Sequence, residues 1–218
     1  MKAKTEIESS SFYQNFLSIL KEFLKESQKS IEEILCLGLG HFSTCKTALY
    51  QLAFLLLLGE EFQNSAEVFD PVFTCGEKQI LSHLKLKLAV GNCEGKKKSN
   101  LSGFTLFFFP HCPKELSNNL IYTNWNPANL ENCILYANSF EAIRLNTPHR
   151  FLRSYHYLLQ SPAVVEELPI PNTFRIPDIF NDLSLHCFPS RLTSGLPQSF
   201  WETPEPIYSE ETELIGEG

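Results

Sequence analysis

The sequence predicts an α/β fold: a Rossmann-like, doubly wound, mostly parallel sheet with helices on both faces. Three observations predict it. Short continuous apolar runs at 34–37, 104–109 and 133–137 have the form of strands buried on both faces. They alternate with longer segments of helical period, as crossover connections require. The first run also opens into Gly38-Leu39-Gly40, followed to Leu58 by a segment without glycine or proline. Strand, tight turn and helix is the outline of a ligand-approach turn, where the backbone comes close to a bound group and the helix start attracts anions.

Taken in order, Phe12, Phe16, Ile19, Leu20, Phe23 and Leu24 recur at helical spacing with charges between them, so 1–30 is expected to be an amphipathic leading helix. Strand one at 34–37 precedes a helix expected to start near Ser43 or Thr44, either of which suits an N-cap. Strand two at 66–69 ends at Asp70-Pro71, because proline cannot continue a ladder. A short helix at 77–84, strand three at 86–90 and a polar loop at 92–103 follow. Strand four, 104–109, stops at Pro110, and 116–125 reads as a helix rich in asparagine. After strand five comes a helix carrying Phe151, Leu152 and Leu158, then a proline-rich passage and a last strand within 179–188. The domain is expected to span 31–195. Residues 196–218 carry no basic residue and gather glutamates, which suggests a mobile acidic tail.

Composition narrows the function classes. A chain of 218 residues suffices for one domain with its own core. A net charge of −7 argues against a phosphate-backbone binder, and Lys96–Lys98 reads as a solvated loop, so no nucleic-acid binding is expected. Seven scattered cysteines without a CxxC pair fit reduced thiols. No signal-peptide pattern or membrane-length apolar run is present, so the expected location is the cytoplasm, with the nucleus also open.

In parallel sheets ligands collect beyond the carboxyl ends of the strands, where strand order reverses. Several polar residues fall at those ends: Gly38, Gly40, His41, Phe42 and Ser43 after strand one, Asp70 after strand two, and His111-Cys112 after strand four. Asn138 follows strand five, and Asn181 and Asp182 lie in the last strand segment with Ser184 and His186. These are the candidate cofactor-binding residues. Ser43 stands where the dinucleotide fingerprint has its third glycine. Asp70 suits ribose hydroxyls or a plain turn before Pro71. Cys112 and His111 are candidate haem ligands, since Cys-Pro pairs recur at regulatory haem contacts, or else a buried thiol beside a hydrogen-bonded histidine. No zinc-ligand spacing and no GxSxG elbow occur, so neither a metal centre nor a serine hydrolase is indicated. Asn118, Asn119, Asn124 and Asn126 either cap local structure or line a pocket.

At Gly38-Leu39-Gly40-His41-Phe42-Ser43 with Gln51-Leu52-Ala53, Asp70-Pro71-Val72-Phe73, Pro110-His111-Cys112, Asn118-Asn119-Leu120, Asn124-Trp125, Asn138-Ser139-Phe140 and Phe180-Asn181-Asp182, the chain resembles the Sensitivity to Red Light Reduced family, or SRR-like proteins. Ser117 departs from the tyrosine that relatives tend to carry there. The resemblance implies a regulatory role in circadian-clock input and clock-gene expression, in control of haem biosynthesis and, among fungal relatives, in microtubule function. It implies no established reaction, so no catalytic residue is carried over. Protein partners and a small-molecule ligand are expected. Two other readings stay open: a transferase using a nucleotide-type cofactor such as S-adenosylmethionine, and a haem-binding sensor.

Overall fold

A computed structural model describes residues 2–208. Seven strands form one sheet: β1 Ile31–Leu37, β2 Glu67–Phe69, β3 Lys87–Leu88, β4 Phe104–Phe109, β5 Cys133–Asn138, β6 Glu166–Pro169 and β7 Leu183–Cys187. Their order is β3-β2-β1-β4-β5-β7-β6. The β3 to β5 half is parallel, and β7 runs antiparallel to both β5 and β6. The chain steps outward from β1 to β3, then returns to place β4 against the other edge of β1. The switch in strand order therefore lies between β1 and β4, with Leu37 and Gly38 on one side and His111 on the other.

The helices are α1 Lys2–Glu8, α2 Ser11–Ser27, α3 Lys46–Glu61, α4 Cys75–His83, α5 Lys114–Thr123, α6 Pro127–Leu130, α7 Phe140–Asn146, α8 His149–Leu152, α9 His156–Gln160, α10 Ser190–Thr193 and α11 Gln198–Trp201. Alternate strand residues serve two cores. Ile34, Cys36, Leu106, Phe108, Ile134 and Tyr136 face one, with α2 and α3 over them. Leu35, Leu37, Phe107, Phe109 and Leu135 face the other, with α5 and α9. Because both faces are covered, the runs read as continuously apolar rather than alternating.

The first core is organised around Phe54 of α3, whose ring meets Phe12, Phe16, Phe108, Tyr136 and Phe180 edge-on at 4.8–5.7 Å between centroids. Edge-to-face packing of this kind adds about 0.5–1.5 kcal/mol per pair beyond burial. A helix apolar all round must be covered all round. The α1–α2 pair supplies that cover, tied at its rim by Lys4–Glu60 (2.6 Å) and Lys21–Glu61 (2.5 Å) ion pairs.

Several boundaries differ from expectation. The leading segment is two helices, because Ser10 ends the first and caps the second, accepting from the Tyr13 amide at 3.2 Å. The α3 helix starts at Lys46 behind Cys45, two to three residues later than Ser43 or Thr44. The helix expected to carry Phe151, Leu152 and Leu158 is broken into α7, α8 and α9, with Pro148 at the first break. The last strand is shorter than 179–188, and the proline-rich passage contributes β6 at the sheet edge.

The asparagines of α5 join separate parts of the second face. The Asn118 side-chain oxygen accepts from the Tyr157 and Leu158 amides at 3.1 and 3.2 Å, capping α9. Asn124 holds the 92–103 loop, accepting from the Ser99 amide and donating to the Lys97 carbonyl. Residues 196–208, expected to be mobile, lie over this face instead. Trp125 stacks on Phe200 and donates its indole N–H to the Phe200 carbonyl at 2.9 Å. The Tyr208 hydroxyl accepts from Asn118 at 2.7 Å and donates to Asn119 at 2.8 Å. Residues 209–218 of the expected tail lie outside the described residues.

Tyr208→Phe would take away the hydroxyl that pairs the Asn118 side-chain NH2 and the Asn119 side-chain oxygen, so the variant is expected to lose about 1–3 kcal/mol of stability. Urea unfolding checks this; an unchanged midpoint would contradict the tail's anchoring role.

Candidate functional site

The turn after β1 needs glycine at two positions. Gly38 and Gly40 have φ of +68° and +77°. A Cβ on Gly38 would also lie 2.4 Å from the Cys112 sulfur, so no side chain fits there. The turn is then held by two carboxylates from outside it. Asp70, at the end of β2, accepts from the Gly40 amide at 2.7 Å through one oxygen and from the Val72 amide at 3.0 Å through the other.

The second carboxylate is Glu77 of α4, which the sequence reading did not single out. One of its oxygens accepts from the Ser43 amide at 3.0 Å and the Ser43 hydroxyl at 2.8 Å. The other accepts from the Thr74 amide at 2.9 Å and lies 3.2 Å from His41 Nδ1. Thr74 in turn receives the Glu77 amide, which completes a capping box. Burial opposes ionisation of Glu77, but the donors from Thr74, Ser43 and His41 outweigh it and hold the carboxyl down at about 2. The Thr-x-x-Glu spacing was the available sequence signal for this residue.

A cavity of about 250 Å³ opens beside the turn, lined by Gly38, Gly40, Asp70, His111, Cys112 and Leu116 among others. Three strand ends meet there. His111 adopts φ of +54°, an uncommon conformation for a side-chain-bearing residue, and its Nε2 donates to the Ile179 carbonyl at 3.1 Å. Cys112 is buried, with its sulfur 3.1 Å from the Leu37 carbonyl, and burial together with the nearby Asp70 charge pushes its thiol pKa up. A protonated thiol donating to a carbonyl is a poor nucleophile and a poor iron ligand.

The other predicted residues distribute as follows. His41 and Ser43 turn to Glu77 rather than into the cavity. Phe42 is buried, edge-on to Phe73 at 6.0 Å. Asn138 donates to the Cys112 carbonyl at 2.9 Å. Together with Asp182 it lines a neighbouring, shallower hollow, and His111 borders both. Asn181 is exposed and donates to Asp182 at 3.1 Å. His186 accepts from the Phe140 amide at 3.4 Å through Nε2, which lies 3.6 Å from Glu167 of β6, and Nδ1 donates to the Leu135 carbonyl at 3.1 Å. Glu167 also has its carboxyl at about 2; burial opposes this, while His186 and the Glu141 amide favour the charge.

Among the described residues no group of three or more His, Cys, Asp or Glu side chains is placed to hold a metal ion. No helix there is long and apolar enough to cross a membrane.

Strand order, crossover pattern and the glycine turn at the switch define a doubly wound, Rossmann-like α/β domain. The chain belongs to the SRR1 domain family, whose model matches residues 7–187. It is 33% identical to an SRR1-like protein of Drosophila melanogaster, over 98% of this chain and 76% of that one. It is 36% identical to an SRR1-like protein of Mus musculus, over 61% and 54% respectively. Protein SENSITIVITY TO RED LIGHT REDUCED 1 of Arabidopsis thaliana is 28% identical, over 88% and 74%. Among solved structures, SAH-bound methyltransferase PaMTH1 of Podospora anserina aligns with a TM-score of 0.43 at 14% identity, covering 82% of this chain and 79% of that one.

Glu77→Gln removes the charge on which donors from Ser43, Thr74 and His41 converge, and a loss of about 1.5–3 kcal/mol is expected. The folded-state carboxyl is depressed, so its contribution is complete above the ordinary carboxylate pKa and disappears as pH falls toward about 2. Unfolding midpoints measured from pH 6 down to pH 3 should therefore fall more steeply for the parent chain than for the Gln variant. Parallel curves would show that the clasp carries no net stability.

Proposed function

We propose that this chain is a regulatory protein that acts by binding a small ligand in the cavity at the β1–β4 switch, with its output in clock-gene expression and circadian input and in control of haem biosynthesis. Family membership supports the regulatory part, and the name of the Arabidopsis relative speaks of sensitivity to red light. The observation that carries the ligand part is the convergence of Gly38, Asp70 and His111, from three strand ends, on one largely apolar hollow. Protein partners, in the cytoplasm or nucleus, would receive the output, with the leading helices and the acidic C-terminal segment as contact elements.

A second reading, a transferase using a cofactor such as S-adenosylmethionine, is favoured by Asp70 standing beside the glycine turn at the end of β2, where an acidic residue suits ribose hydroxyls. The haem-sensor reading draws no support from Cys112, whose sulfur is committed as a protonated donor.

Native mass spectrometry of the purified chain is expected to show a bound small molecule, and a cofactor library to raise its melting temperature. Leu116→Trp, which fills the hollow from α5, should abolish both. A chain that carries nothing and responds to no cofactor would overturn the ligand-binding reading.

A further inference from the structure

Five of the amide donors in the glycine turn already have acceptors within the protein. The Gly40 amide donates to Asp70 and the Ser43 amide to Glu77. The Thr44 and Cys45 amides donate to the His41 carbonyl, and the Gly38 amide to that of Phe69. In a phosphate-binding turn such N–H groups point at the ligand. Here two of them face anions that belong to the protein.

The cavity wall has the same character. Among the described residues no lysine or arginine lines it, and the one acid, Asp70, is buried. A diphosphate placed over the turn would meet this carboxylate in a partly desolvated site with no cation to offset the repulsion. At about 250 Å³ the cavity also lies below the usual range for ligand pockets, about 300–1,000 Å³. That disfavours a dinucleotide.

Other features suit a smaller group. A carboxylate has about four acceptor positions, and backbone amides take one on each Asp70 oxygen. Acceptor capacity remains for the two hydroxyls of a ribose or for a nearby positive charge. Phe69, Val72, Pro113 and Leu116 offer apolar surface for a ring.

We propose that the cavity takes a nucleoside without phosphate groups, neutral or cationic, and discriminates against the corresponding nucleotides. This rests on the ligand-binding reading above and specifies its chemistry. The ribose hydroxyls donate to Asp70, the base lies against Val72, Pro113 and Leu116, and the acid that orients the sugar also repels a phosphate.

The test is calorimetric titration of the full chain with adenosine, S-adenosylmethionine and S-adenosylhomocysteine, against AMP, ADP, ATP and NAD. At least one phosphate-free compound should bind about tenfold or more tightly than every phosphorylated one. Asp70→Asn, which keeps an oxygen for the Gly40 amide, should narrow that gap. Val72→Lys, which leaves both carboxylates in place and adds a cation to the wall, should narrow it further. Equal or tighter binding of a phosphorylated nucleotide to the parent chain would overturn this inference and leave ligand binding standing. So would a natively bound molecule that is not a nucleoside. No binding by any compound, with nothing bound natively, would overturn both.

Discussion

The turn between β1 and α3 is closed from within at the His41 carbonyl, and the rest of the site depends on two carboxylates that reach it from elsewhere. Asp70 holds Gly40 from the end of β2, and Glu77 holds Ser43 and His41 from α4. Each acid also binds its own neighbourhood, Val72 in one case and Thr74 in the other. The second crossover unit is thereby fastened to the first. A charge buried this way is tolerable only when amides and hydroxyls surround it, and for Glu77 they do so well enough to keep it ionised far below the usual range.

This arrangement also accounts for the late start of α3. Ser43 has the right chemistry for an N-cap, but its hydroxyl is given to Glu77, and residues 42–44 form a separate turn before the helix begins. The close approach of Gly38 to Cys112 has a parallel effect on the opposite wall. The β1 and β4 ends can lie side by side there only because one residue has no side chain and the other has a small sulfur donating to a carbonyl.

The parts of the fold legible in the sequence are those where local pattern and tertiary role agree. The runs 34–37, 104–109 and 133–137 are apolar without interruption because both faces are covered, and each matches a central strand. β6 was hidden, because an edge strand beginning Glu166-Glu167 and closing on Pro169 has neither alternation nor an apolar run. Of the candidate site, Gly38 and Gly40 of the turn share one cavity with Asp70 and His111 at the ends of β2 and β4, whereas His41, Phe42 and Ser43 do not line it. Asn138 and Asp182 belong to its shallower neighbour, since β5 and β7 lie one and two strands further from the switch. Glu77 was obscured because its sequence neighbourhood is that of an ordinary surface helix. Its long-range partners lie 34 and 36 residues upstream, where no local pattern reports them.

The docked C-terminal segment bears on how the chain is made. Trp125, Tyr157 and the paired asparagines of α5 are covered by residues 200–208, which leave the ribosome after everything they cover. While synthesis proceeds, that aromatic surface stays open to water and to other nascent chains, however complete the opposite core has become. The second face is thus completed late in the order of synthesis, closed by a tyrosine that emerges some ninety residues behind its partners.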